Sequence, residues 1–123
     1  MKFVLDDSSD RHAIQQYDEG RITISQTVYQ RSLIVLPDRI ISDWAPAAIE
    51  QLKTDDFDLL AGLGPEIVIL GTGRQQRFPH PALTQPLMQR RIGFEVMDTP
   101  AACRTYNILM AEGRRVAAAL FMI

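Results

Sequence analysis

A chain of 123 residues with 15 acidic and 13 basic side chains fits one domain, 1–123, and folding removes about two-thirds of its unfolded surface from water, enough for a real core. Its one cysteine, Cys103, excludes an internal disulfide and a four-thiolate zinc site and suits a reducing compartment. A net charge of −2, without a dense basic stripe, an RNA-binding aromatic signature or zinc-knuckle spacing, argues against nucleic acid as a partner.

The opening "MKFVLDDSSD" reaches aspartate too soon for a signal-peptide apolar region, and residues 1–12 are expected to be poorly ordered or peripheral. "AIQQY" and "RITIS" then flank "DEG", Asp18 to Gly20, a three-residue loop with glycine where a hairpin needs the left-handed conformation. Ile22 and Ile24 alternate with Thr23 and Ser25, so one face of that strand is buried and the other wet. "SLIVL", Ser32 to Leu36, is apolar almost throughout and reads as a strand covered on both faces, and Pro37-Asp38 breaks it before "RII".

At "SDWAPAAIEQL" the period changes to a helical one: Ser42 or Asp43 can cap, Pro46 sits near the start, and Trp44, Ala48, Ile49 and Leu52 share a face. A second helix starts at Thr54-Asp55-Asp56, buries Phe57, Leu60 and Ala61, and ends within Gly62 to Pro65. Asp55, Asp56 and Asp58 belong to its first turn, where the dipole favours negative charge, and they lack the spacing of a calcium loop. No metal ligand set is read from the chain.

From Pro65 the pattern is strand, loop, helix, strand, helix, strand. "EIVIL" is a buried strand. "ALTQPLMQRR" is a short helix with Leu83, Leu87 and Met88 inward and Pro86 in its first turn or at a kink, and "IGFEVM" is a strand parallel to the previous one. "TPAACRTYNILMAEGRR" carries Thr99 as N-cap, Pro100 at the first helical position and Gly113 past the end. Ala102, Cys103, Tyr106, Leu109 and Met110 share its apolar face, and "VAAALFM" closes the chain as a buried strand whose small residues admit a close helix. The fold class is therefore α/β: a three-layer domain on a mixed sheet, with an N-terminal antiparallel hairpin and C-terminal strand-helix-strand units.

The segment "VILGTGRQQRFPHP", Val68 to Pro81, invites comparison with phosphate-binding loops. A dinucleotide fingerprint needs a third glycine and a helix directly after the turn; here Gln76 stands in the third place and Arg77 to Pro81 intervene. No Gly-Lys-Ser/Thr follows, which removes the P-loop. What remains is Gly71-Thr72-Gly73 at the end of a strand, with Arg74, Arg77 and His80 downstream, able to hold a carboxylate or phosphate through charge-assisted bonds. The plainer reading is a tight turn followed by a solvated loop.

Other chemistry is thinner. Cys103 lies early in a helix next to Arg104, a place that can activate a thiol, yet its neighbours at helical spacing make it a core thiol. His12 and His80 have no nucleophile arranged with them, so no triad and no metal pair can be argued. Arg104, Thr105 and Asn107 fall on the outward or edge face of the last helix and would join Arg74 in one polar patch if that helix lies beside the glycine turn. Residues 1–66 hold 12 acids against 6 bases, 67–123 hold 3 acids against 7 bases, and 11 of the 13 bases are arginine. That bias favours planar, bidentate contacts.

"MDTPAACRTYNILMAEGRRVAAAL", with "ILGTG" and "LPDRIISDW" upstream, resembles a family of small α/β proteins without an assigned activity, whose relatives include a mitochondrial complex I assembly factor and an adipogenesis-associated protein. The resemblance covers residues 20–122 and is most specific at Gly71-Thr72-Gly73, Thr99, Ala102, Arg104, Thr105, Asn107, Leu109 and Arg114. It implies a three-layer fold on a mixed sheet and a role in protein assembly, and it supplies no catalytic residue. No mitochondrial presequence is read at the N-terminus, so the expected location is cytoplasmic. The resulting expectation is a soluble, non-catalytic binding or assembly-factor-like module without cofactor or transmembrane segment. Its interaction patch comprises Gly71, Thr72, Gly73, Arg74, Arg77, His80, Arg104 and Asn107, and it meets a protein partner or, through a sheet edge near "RITIS", a copy of itself. The alternative is a small-anion or small-molecule binder or enzyme working at the Gly71–Gly73 turn.

Overall fold

Two sheets and three α-helices account for residues 11–123, which a computed structural model describes. Strands β1 (Ile14–Asp18), β2 (Arg21–Ile24) and β3 (Thr27–Tyr29) form an antiparallel sheet in that order. Asp18 lies opposite Arg21, so the first turn is Glu19-Gly20, one residue tighter than the sequence suggests. The second turn is Ser25-Gln26, with φ of 50° and 69°. Positive φ at both positions matches the twist of paired strands, but serine and glutamine do not advertise it, and β3 is invisible to a search for glycine or asparagine turns. β2 is consequently the central strand of its sheet, which corrects the expectation of a free edge near "RITIS".

The larger sheet contains β4 (Leu33–Leu36), β5 (Arg39–Ile41), β6 (Ile67–Gly71), β7 (Gly93–Met97) and β8 (Val116–Leu120) in the order β5-β4-β8-β6-β7. β6 runs parallel to both β7 and β8, while β8 is antiparallel to β4, so the sheet is mixed. The side chains of β8 divide by strict alternation. Val116, Ala118 and Leu120 point with Leu33, Val35 and Ile69 toward the small sheet and helix α3 (Thr99–Ala111). Ala117 and Ala119 point with Ile34, Val68 and Leu70 toward helices α1 (Thr54–Gly62) and α2 (Gln85–Gln89). Period-2 alternation over strands buried on both faces thus produces two cores from one sheet, a three-layer α/β fold. Each fully buried leucine or isoleucine contributes about 1.5–3 kcal/mol.

Three local expectations are corrected. "SDWAPAAIEQL" forms no α-helix; only Ile49–Gln51 makes a 3-10 turn. Its backbone donors find other partners: the Trp44 N–H donates to the Ser32 carbonyl at 2.9 Å and the Ala47 N–H to Gln51 Oε1 at 2.7 Å, while Asp43 sits at φ 57°. Trp44 and Leu52 are buried nonetheless, and Trp44 stacks on Phe121 with centroids 5.4 Å apart. Met88 is 63% exposed, because the five-residue α2 is preceded by a 3-10 turn, Pro81–Thr84, which rotates the face that Leu87 buries. Asp98, not Thr99, caps α3: its Oδ1 accepts from the Ala101 N–H at 2.8 Å.

Helix α1 starts as read, with Asp56 Oδ2 accepting the Lys53 N–H at 2.8 Å and Phe57, Leu60 and Ala61 buried. Of the segment expected to be peripheral, residues 1–10 lie outside the described residues. Arg11 donates to the Met110 carbonyl and the His12 N–H to the Pro37 carbonyl, at 2.5 and 2.8 Å. Among the described residues no helix is long and apolar enough to cross a membrane.

Candidate functional site: the glycine turn and the Arg74–Pro81 loop

β6 delivers Gly71, Thr72 and Gly73 to the point where the sheet meets α3, and all three are buried. A Cβ on Gly71 would lie 2.9 Å from Leu120 Cδ2, 3.0 Å from Ala102 Cβ and 3.0 Å from Thr99 Oγ1, so the first glycine exists to let α3 press on the sheet. Gly73 has φ +90° and a would-be Cβ 3.3 Å from the Met122 carbonyl; only glycine takes that bend without strain.

The main-chain groups of the turn are already committed. The Thr72 N–H donates to the Met97 carbonyl at 2.9 Å, and the Gly73 N–H donates to Thr99 Oγ1 at 2.8 Å. The Gly71 and Gly73 carbonyls accept from the Phe121 and Thr99 amides at 2.9 and 2.8 Å. Thr99, fully buried, explains why it is not the cap: its hydroxyl accepts from Gly73 and donates to the Phe121 carbonyl at 2.7 Å, tying turn, helix and C-terminal segment together. Thr72 Oγ1 folds the next residues back, donating to the Gln75 carbonyl at 2.5 Å and accepting the Arg77 N–H at 3.1 Å. The backbone then runs through Arg74 to His80 before the 3-10 turn at Pro81, so no helix follows directly from the glycines; the helical amino end they meet is that of α3, whose Thr99 amide and hydroxyl are bonded to Gly73.

The remaining patch residues do not converge on one point. Arg74 bonds Glu19 in the β1–β2 turn, and Arg104 donates to Tyr17 Oη at 2.9 Å, so both reach the same end of β1. Asn107, by contrast, is a clamp: its Oδ1 accepts the Ile14 N–H and its Nδ2 donates to the Ile14 carbonyl, each at 2.8 Å, fastening β1 to α3. Arg77 bonds Glu50 on the α1 side of the sheet, and that guanidinium lowers the Glu50 carboxyl below its usual range. His80 caps the 3-10 turn, with Nδ1 accepting the Ala82 N–H at 3.0 Å.

Beside Arg77 and His80 lies a groove of about 800 Å³ between the loop and β7, walled by Phe78, Pro79 and Pro81 on one side and Phe94 and Val96 on the other. Phe78 is 72% exposed, the most exposed of the large apolar side chains among the described residues. The sequence places both it and Gln76 in the Arg74–Pro81 loop expected to meet a partner but does not single out either as a contact; the Gln76 Nε2 donates to the Val96 carbonyl at 2.9 Å. An aromatic residue between arginine and proline in a helix-free loop was the available signal.

Cys103 is fully buried and its thiol is pushed up to about 12 by burial, which leaves it a core side chain. Tyr106, also buried, is pushed above its usual range for the same reason and donates to the His12 carbonyl at 2.7 Å.

The mixed sheet, the flanking layers and the glycine turn held by Thr99 define an Mth938-like α/β domain. That is the description given to a Bordetella pertussis protein whose solution structure matches at a TM-score of 0.81 and 30% identity, covering 94% of this chain and 87% of that one. The chain belongs to the family described as protein of unknown function (DUF498/DUF598), whose model matches residues 14–121. A Bordetella parapertussis crystal structure matches at a TM-score of 0.86 and 36% identity over 92% of this chain and 97% of that one. The mouse protein named NADH dehydrogenase [ubiquinone] 1 alpha subcomplex assembly factor 3 is 36% identical over 109 residues, 87% of this chain and 58% of the relative. The chain thus spans little more than half the length of that assembly factor.

Proposed function

We propose that this protein is a non-catalytic, assembly-factor-like module that holds a protein partner on the Arg74–Pro81 loop, with Arg104 and Arg74 forming a second contact at the end of β1. The observation that carries the reading is the contrast within one segment: every turn amide at Thr72 and Gly73 is spent on the fold, while the next residues offer arginines and a 72% exposed Phe78 to the outside. Gly71, Thr72, Gly73 and Asn107 are the support of the patch; Arg74, Arg77, His80 and Arg104 are its contacts.

The arginines are held by exposed pairs with Glu19 and Glu50. Exposed pairs of this kind are screened by solvent and contribute little, so a partner's carboxylates can replace them at little cost. Phe78 supplies the apolar anchor that interfaces concentrate at their centre. Kinship with a protein named as a complex I assembly factor supports a partner that is itself a subunit awaiting assembly. An anion enzyme at the glycine turn is the weaker reading, because a phosphate would find the Thr72 and Gly73 amides occupied.

The test is site-specific photo-crosslinking in the native host. A photoreactive phenylalanine analogue at Phe78 is expected to capture a discrete protein, and the same group at Glu112, on the far end of α3, is not. Arg74→Ala with Arg77→Ala should reduce the capture. Equal labelling from both positions would sink the reading.

A further inference from the structure

β7 is the longer of the two edges of the large sheet, five residues against three in β5. Its Gly93 N–H donates to the Glu66 carbonyl and its Met97 carbonyl accepts the Thr72 N–H, so residues 93, 95 and 97 turn their main-chain groups toward β6. By alternation Phe94 and Val96 turn theirs away from the sheet. Of these outward groups the Val96 carbonyl alone has a partner among the described residues, the Gln76 side-chain amide, which occupies the place a neighbouring strand's N–H would take. The side chains of Phe94 and Val96 meanwhile form one wall of the groove opposite Phe78. Glu95, between them on the strand, is exposed and also belongs to the groove's lining; it is one of only 3 acids in residues 67–123 and has no ion-pair partner among the described residues.

We infer that this edge takes up an extended peptide segment of the partner as a sixth strand, the segment alternating apolar, basic and apolar residues. The inference rests on the protein-binding reading above and names the partner's chemistry. Main-chain bonds to Phe94 and Val96 hold the segment. The two apolar side chains enter the groove under Phe78, and the basic one lies opposite Glu95, where an opposite-charge cross-strand pair stabilises.

A second copy of this chain is the wrong occupant. The antiparallel self-pairing that uses all the outward groups sets Phe94 against Val96 in both directions and Glu95 directly opposite its own copy, and like charges there repel. The carboxylate therefore both blocks self-association and selects a cationic guest.

The probe is an acetylated, amidated peptide Thr-Val-Lys-Val-Thr titrated to about 1 mM, the weak end of specific binding, against isotope-labelled protein by NMR. Saturable shifts confined to residues 76–81 and 93–97 are expected, with slower hydrogen exchange at the Phe94 and Val96 amides. Glu95→Lys should weaken this peptide at least tenfold and strengthen the matching Thr-Val-Glu-Val-Thr peptide. Val96→Pro, which removes one outward donor where an edge strand tolerates proline, should abolish both. No saturable shift, or unchanged selectivity in Glu95→Lys, overturns strand addition even if Val96→Pro fails to fold. If crosslinks from position 78 persist in that case, the loop docks its partner without β7 and only this inference falls; if they also fail, the protein-binding reading falls with it.

Discussion

Gly71-Thr72-Gly73 and Arg74–Pro81 adjoin in sequence and behave as opposites. The first three residues are buried and their main-chain groups are bonded to β7, α3 and the C-terminal segment; the loop that follows is largely exposed and its arginines are held only by surface pairs. A glycine-rich turn at a strand end is commonly a ligand seat because its amides are free. Here a single buried hydroxyl, Thr99 Oγ1, and a carbonyl of β7 have consumed them, and the exposed side chains lie in the next eight positions of the chain.

The contrast can be broken hardest at Thr99. Thr99→Val keeps the shape but strands the Gly73 N–H and the Phe121 carbonyl, and at about 1–3 kcal/mol for each buried unpaired group the loss should be about 2–6 kcal/mol in chemical denaturation. Gly71→Ala comes next: with three contacts at 3.0 Å or less, α3 or Leu120 must shift, at about 1–3 kcal/mol, visible as a lower thermal midpoint. Asn107→Ala should cost about 1–2 kcal/mol and speed hydrogen exchange at the Ile14 amide, since two bonds release β1.

A smaller effect is expected from Glu66, whose carboxyl is held below its usual range first by the Arg115 main-chain N–H and then by Arg114. A depressed carboxylate contributes stability above its unfolded pKa and loses it as pH falls through the lowered folded value. Glu66→Gln should therefore lower stability modestly at neutral pH and flatten the acid side of the profile, the difference from the parent vanishing once pH falls below the lowered folded value. Phe78→Ala should move stability least, within about 0.5 kcal/mol, while reducing partner capture most. A large stability loss there would erase the distinction between turn and loop.

Much of this architecture was legible because burial writes itself into strands and helices as period. Ile22/Ile24, the run Leu33–Leu36, the run Ile67–Leu70 and the face Ala102–Cys103–Tyr106–Met110 are where the patterns put them. The readings that failed depend on partners distant in the chain. "SDWAPAAIEQL" has helical spacing, yet Ser32 takes the Trp44 amide and the segment lies down as a cover over Phe121. Thr99 has the residue type of a cap, yet Gly73 and Phe121 claim its hydroxyl and Asp98 caps instead. β3 follows a Ser25-Gln26 turn whose positive φ values no local residue preference announces.

For the candidate site the division is similar. Gly71, Gly73 and the arginine-rich loop stand out in the chain itself, because glycine types and charge are local properties. That Asn107 clamps β1, that Arg74 and Arg104 converge on one hairpin end while Arg77 turns to Glu50, and that Phe78 faces the open edge of β7 were decided only in three dimensions. The sequence alone determined which segments alternate and which residues must be small. Tertiary structure decided which hydrogen-bonding groups were left over, because a polar group's availability depends on every neighbour that folding brings to it.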